Sequence, residues 1–242
     1  MLAYLKFELR RMYREPRLII LTVAMPVILF LALGGSIKGD TPEKTKEILA
    51  YLMVAWAAYG ALLGTFSSGV GVSHERSAGW LRQLRITPLP PATVVITKAI
   101  ACSLVAIPAV LVVSVIGMAR NVDFSVGQLA LLVLLMWLGS VPFALVGLAV
   151  GFVLPPNLAQ PASFLVSFGL AFAGGIFIQS DDMPKTMQQI VEWSPSYRFT
   201  QAGYAVLQHD TQSGTGWAII AGWALVFAAL AALAYRRSAA AK

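Results

Sequence analysis

Cysteine, histidine and charge are all scarce in this sequence: one Cys, two His, and 12% Asp, Glu, Lys and Arg in 242 residues. A lone Cys102 excludes an intrachain disulfide and a thiolate metal framework. His74 and His209 are too far apart in the expected topology to share a metal or a haem. No Gly-x-x-x-x-Gly-Lys-Ser/Thr phosphate loop is present, so a nucleotide-driven motor would have to reside on another chain. The apolar runs offer no base beside a serine, which argues against nucleophilic catalysis within them. They are also read as free of Asp, Glu, Lys and Arg except at their edges, whereas an ion-coupled carrier usually keeps such a residue near mid-membrane.

Apolar sequence is abundant: 58% of the residues are hydrophobic. Crossing a bilayer takes roughly 20 mostly apolar residues, and runs near 18–37, 48–73, 99–119, 126–153, 158–178 and 215–235 meet that length. Their apolarity is continuous, unlike the alternation of barrel strands. The expected fold class is therefore an all-α membrane protein of six transmembrane helices forming a single domain over 1–242. With both termini in the cytoplasm, basic residues divide twelve inside to six outside, the asymmetry that membrane insertion produces. The net charge of +7 then reads as topology and affinity for anionic lipid rather than for nucleic acid. A bacterial inner membrane is the expected location.

Residues 1–15 place Leu2, Leu5, Leu9, Met12 and Tyr13 on one helical arc opposite Arg10, Arg11 and Arg14, the pattern of a helix lying in the membrane interface. The first apolar run is too long for a signal-peptide core and is read as a retained span. Residues 38–47 read as a short outer loop. Gly60/Gly64 and Gly147/Gly151 are small pairs that permit close helix packing, and Pro26, Pro108, Pro142 and Pro161 are expected kink points. Residues 180–209 read as two short re-entrant helices on the outer side, the second capped by Ser196.

The inner loop 74–91 carries a candidate amphipathic helix, Ser77 to Ile86, with Trp80, Leu81 and Leu84 on one face and Arg82 and Arg85 elsewhere; Pro88, Pro90 and Pro91 end it. Such a helix suits insertion into a partner's groove. Glu75-Arg76, Gly79, Leu81, Leu84 and Pro88-Leu89 in this loop, with Met183-Pro184, Ile190, Ser194-Pro195 and Tyr197 before the last run, resemble the permease subunits of type-2 ABC exporters. The likeness is to those of the daunorubicin and multidrug-resistance kind.

That resemblance implies an ATP-driven exporter of amphipathic or hydrophobic cargo, with ATP and Mg held by a separate cytoplasmic ABC ATPase and no cofactor in this chain. It implies a second permease copy, as homodimer or sister subunit. Glu75, Arg76, Gly79, Trp80, Leu81, Leu84, Arg85 and Pro88 would couple to the ATPase. Ser67, Ser68, Ser163, Phe164, Ser167, Phe168 and Phe172 would line the path, and Pro184, Pro195 and Tyr197 would form an outer gate. An ion-coupled carrier and a non-transporting sensor or assembly protein are the alternatives.

Overall fold

The computed structural model describes residues 6, 8, 10, 16–37, 39–80, 90–176, 185–208, 210 and 213–240, and its regular elements are all α-helices. In order they are α1 (Pro16–Gly34), α2 (Pro42–Val70), α3 (Val72–Ser77), α4 (Pro91–Ser103), α5 (Ala106–Ala119), α6 (Val126–Val153), α7 (Pro156–Ala173), α8 (Lys185–Val191), α9 (Pro195–Leu207) and α10 (Gly214–Ala240). Among the described residues, four stretches are long and apolar enough to cross a membrane: Pro42–Ser77, Ala92–Ala119, Val126–Val153 and Gly214–Ser238. The other two expected spans fall on α1 and α7, helices of 19 and 18 residues.

Helix starts follow local capping chemistry. Residues 42–47, expected as outer loop, belong to α2: the Thr41 side chain accepts from the Lys44 N–H, Pro42 opens the helix and Glu43 sits in its first turn. All three features favour a helix N-terminus. α6 has the expected bounds because Ser125 and Gln128 exchange hydrogen bonds in a capping box. The third run begins at Pro91 instead of 99, since proline suits the first helical position. It breaks at Leu104–Val105, as Pro108 removes an N–H and its ring crowds the carbonyl four residues earlier. α1, α6 and α7 run through Pro26, Pro142 and Pro161 without interruption.

α2 is the central element, buried from Met53 to Phe66, and it packs on α1, α5, α6, α7 and α9. Its closest approach is to α6. A Cβ added at Gly69 would stand 2.7 Å from the Leu148 nitrogen, and one at Gly151 would stand 2.8 Å from the Gly69 carbonyl oxygen. One at Gly147 would overlap the Phe66 carbonyl. Both small pairs read from sequence lie at seams: Gly147/Gly151 here, and Gly60/Gly64 against Pro26, Thr22, Val105 and Ala109. Gly69 completes the first seam and was not anticipated.

α9 wedges against α2 and α6 as part of the protein interior. Phe199 lies over Gly139 and edge-on to Phe143, and Gly203 faces Met136 and Val54. Its first residue is Pro195 and its N-cap position is Ser194, not Ser196; Ser196 is buried one position inside, with its hydroxyl 2.7 Å from that of Ser194. At this end of the bundle Lys46 pairs with Asp123 at 2.8 Å, and Gln208 donates to the Tyr51 hydroxyl. Phe152 and Tyr235 join α6 to α10 at the opposite end.

Candidate functional site

Two charged residues near the end of α3 make a polar joint with the rest of the bundle. Gly71 has right-handed helical angles, so α2 continues into α3 as one 36-residue stretch, Pro42–Ser77. At 1.5 Å per residue this is about 54 Å, well beyond the roughly 30 Å hydrocarbon layer. The stretch therefore extends past the membrane core, and Glu75 and Arg76 stand in its last turn.

Lys98, from α4, places its ammonium 2.6 Å from Glu75 Oε2 and 2.8 Å from Glu8 Oε1. Lys98 is 2% exposed, Glu8 4% and Glu75 8%. The cluster ties the N-terminal segment, where Lys6, Glu8 and Arg10 are helical, to α3 and α4. Lys98 precedes the apolar run read as 99–119; because α4 starts at Pro91, it lies about two turns inside the helix. That depth explains why it needs carboxylate partners. A buried ion of either sign is costly without a hydrogen-bonded counterion.

Arg76 points the other way. Its Nη1 donates to the carbonyls of Phe152 and, at 3.2 Å, Val153; its Nη2 donates to Leu154 at 3.0 Å. These groups end α6, where carbonyls lack intrahelical partners and the helix dipole is negative. A guanidinium can span several acceptors at once and so suits this cap. Glu75 and Arg76 thus both find their partners within the chain.

The helix stops at Ser77. The Ala78 N–H reaches His74 O at 2.9 Å, the Gly79 N–H reaches Arg76 O at 3.1 Å, and Gly79 has φ +77°. That left-handed turn is the usual glycine C-terminal motif and redirects the chain. Ser77, expected to start the amphipathic helix, instead ends the preceding one. Trp80 is helical and half-buried, packed on a cluster that includes Val72, Val94, Leu148 and Phe152. Leu81, Leu84, Arg85 and Pro88 lie outside the described residues.

The expected path residues separate into two groups. Ser67 and Ser163 are buried with their hydroxyls 3.3 Å apart, and Ser167 is buried with them. Ala159, Ser163, Ser167 and Ala171 form the small-residue face of α7 that meets α2. These serines therefore pack within one chain. Phe164, Phe168 and Phe172 are 43%, 41% and 41% exposed on a neighbouring face about 100° around the helix. Phe164 stacks on Phe168 at 6.1 Å between centroids, and Phe168 meets Phe172 edge-on at 5.0 Å. Ser68 is half-buried. Of the gate residues, Pro195 is buried, Tyr197 is half-buried under the Arg198 guanidinium, and Pro184 lies outside the described residues.

Sequence reasoning missed the Glu8–Lys98–Glu75 joint. The available signal was Pro91: taken as a first helical residue, it puts Lys98 inside a run of Val, Ile and Ala where an unpaired ammonium is unfavourable.

A family model described as ABC-2 family transporter protein matches residues 35–233. Over 224 residues the chain is 23% identical to the Bacillus subtilis (strain 168) protein named "Putative transport permease YvfS", the match covering 91% of this chain and 90% of that protein. The family match begins just after α1 and runs into α10, so it takes in α2 to α9 and most of α10. The chain belongs to the ABC-2 transporter family, as a multi-pass transmembrane permease subunit of an ABC transporter.

Proposed function

We propose that this chain is the membrane half of an ATP-driven exporter of amphipathic or hydrophobic cargo. In this reading α1 and α7 complete six crossings, with both termini in the cytoplasm of a bacterial cell. Segment 80–90 is the coupling element, seated in a separate ABC ATPase that holds ATP and Mg. The observation that carries the reading is the joint beneath it: Glu75 on Lys98 and Glu8, and Arg76 on the end of α6.

A push on segment 80–90 passes through the Gly79 turn into α3. Two charged side chains then load the N-terminal segment, α4 and α6 together. Packed helices joined in this way shift as units between discrete arrangements. Two permease copies, or this chain and a sister subunit, face each other across the path, and the Phe164–Phe168–Phe172 stripe is the surface this chain offers to it. An uncharged aromatic wall suits drugs, lipids or hydrophobic peptides and disfavours strongly charged solutes.

Replacing Leu84 by Asp puts a charge on the apolar face of the coupling element. ATP-dependent accumulation of cargo in inverted vesicles should be lost while insertion and assembly of the permease persist. Transport at the wild-type rate would remove the coupling reading. Leu84 is a better test than Trp80, whose side chain also packs on the bundle's own core. Vesicles that hydrolyse ATP but accumulate no cargo would favour a sensor or assembly role.

A further inference from the structure

At the end of the bundle where α2 and α6 begin, three parts of the chain enclose a pocket of about 360 Å³. This is near the lower end of the range of ligand sites, about 300–1,000 Å³. α2 lends Lys46, Glu47, Ala50 and Tyr51, whose i, i+1, i+4, i+5 spacing puts them on one helical face. The α5–α6 connection lends Val122, Asp123 and Phe124, and the end of α9 lends Leu207 and Gln208. Lys46, Glu47 and Asp123 all precede the apolar stretches of α2 and α6. The pocket therefore lies at the edge of the membrane core, not within it.

Its walls differ in chemistry. Val122 and Phe124 are buried and, with Ala50 and Leu207, make an apolar floor. The rim is polar and already fixed. Lys46 and Asp123 pair at 2.8 Å, and Gln208 Nε2 donates to the Tyr51 hydroxyl at 3.1 Å. The Tyr51 ring leans on Tyr204, 5.3 Å away between centroids. Lys46 and Asp123 cancel in charge, so the lining carries one net negative charge. It sits on Glu47, which has no ion pair among the described residues. The Gln208 amide oxygen is a second acceptor on the same rim.

We propose that this pocket binds a small amphipathic amine in its protonated form. The ammonium lies at Glu47, with the Gln208 amide oxygen and the Tyr51 ring as further partners, and the apolar body rests on the floor below. A carboxylate beside a neutral acceptor and an aromatic ring suits an ammonium group, whereas an anion would meet the Glu47 charge. Because the rim is already held by its own contacts, binding has little ordering cost there. The site is at the end of the bundle opposite the Glu75–Lys98 joint. The topology proposed above makes that the outer end, but binding itself does not depend on it.

The test uses purified full-length protein with no ATPase added, so it stands or falls separately from the coupling reading. Isothermal titration calorimetry in detergent, with titrations into protein-free micelles subtracted, compares phenethylamine with phenethyl alcohol, which has the same body and no charge. Wild type should bind the amine about fivefold or more tightly than the alcohol. Glu47→Gln, an exposed position, should bring the amine down to the affinity of the alcohol and leave the alcohol unchanged. Ala50→Phe, which fills the floor, should abolish binding of both. Absence of amine binding to wild type, or equal affinity for amine and alcohol, would overturn the proposal. So would amine affinity that survives either substitution.

Discussion

Lys98 carries one positive charge between two carboxylates, so the three positions are not equivalent to mutation. Lys98→Met leaves Glu8 and Glu75 buried and facing each other without a cation. Removing one partner of a buried pair typically costs about 3–5 kcal/mol. Glu75→Gln is milder, since Glu8 still neutralises the ammonium and the amide oxygen can still accept. The expected order of thermal stability, read as surviving monodisperse protein after heating, is wild type, then Glu75→Gln, then Lys98→Met. The double variant should be more stable than the sum of the two losses implies, because contacting residues are non-additive. Additive losses would show that Lys98 and Glu75 act separately. Arg76 was legible as a motif but not as a cap, because nothing in the sequence near it names the carbonyls 76 to 78 positions away.

Helix α6 matched its expected bounds because its start is encoded locally, by Ser125 and Gln128, and its end by Leu154-Pro155-Pro156. α2 and α4 were expected too short for one shared reason. Apolarity marks the lipid-crossing part of a helix, whereas Thr41-Pro42-Glu43 and Pro90-Pro91 mark where the helix itself begins. The α7 faces were blurred for another reason: Ser and Phe stripes offset by one residue both repeat every four positions, and only packing tells which meets α2. The α2–α6 seam gives this scale its own test. A side chain at Gly147 meets the Phe66 backbone, which cannot rotate away, so Gly147→Val should destabilise the protein by upwards of about 3 kcal/mol. Gly169, on α7, has nothing within 4 Å of its built Cβ. Gly169→Ala should therefore leave stability unchanged or raise it by up to about 1 kcal/mol, the ordinary helix preference for alanine. Denaturation midpoints of the two purified variants check both. Similar losses at both positions would mean that helix flexibility, not close approach, is what these glycines supply.

At the scale of the whole molecule, the proposed pairing of two permease copies calls for a face that this chain can offer to its partner. Two faces stand out as apolar and exposed: the α7 stripe around Phe168, 41% exposed, and the α10 face around Leu225, 74% exposed. Exposure alone would choose α10, but a lipid-facing helix is expected to be exposed and to need no partner. The α7 stripe differs in kind, because its three rings contact one another along the helix and lie beside the seam with α2, the helix that leads to the coupling joint. A two-fold symmetric pair repeats a residue across its axis, so a residue near the axis approaches its own copy. The sequence makes this simple to measure, as Cys102 is the sole cysteine and is buried. In a Cys102→Ser background, Phe168→Cys should give disulfide-linked dimers in oxidised membranes, while Leu225→Cys should remain monomeric. Addition of the ATPase partner with ATP should change the yield of the Phe168 cross-link, because the joint at Glu75 and Arg76 would then move α2 and the stripe beside it. A cross-link at Leu225 and none at Phe168 would place the second copy on α10 and move the cargo path away from the aromatic face.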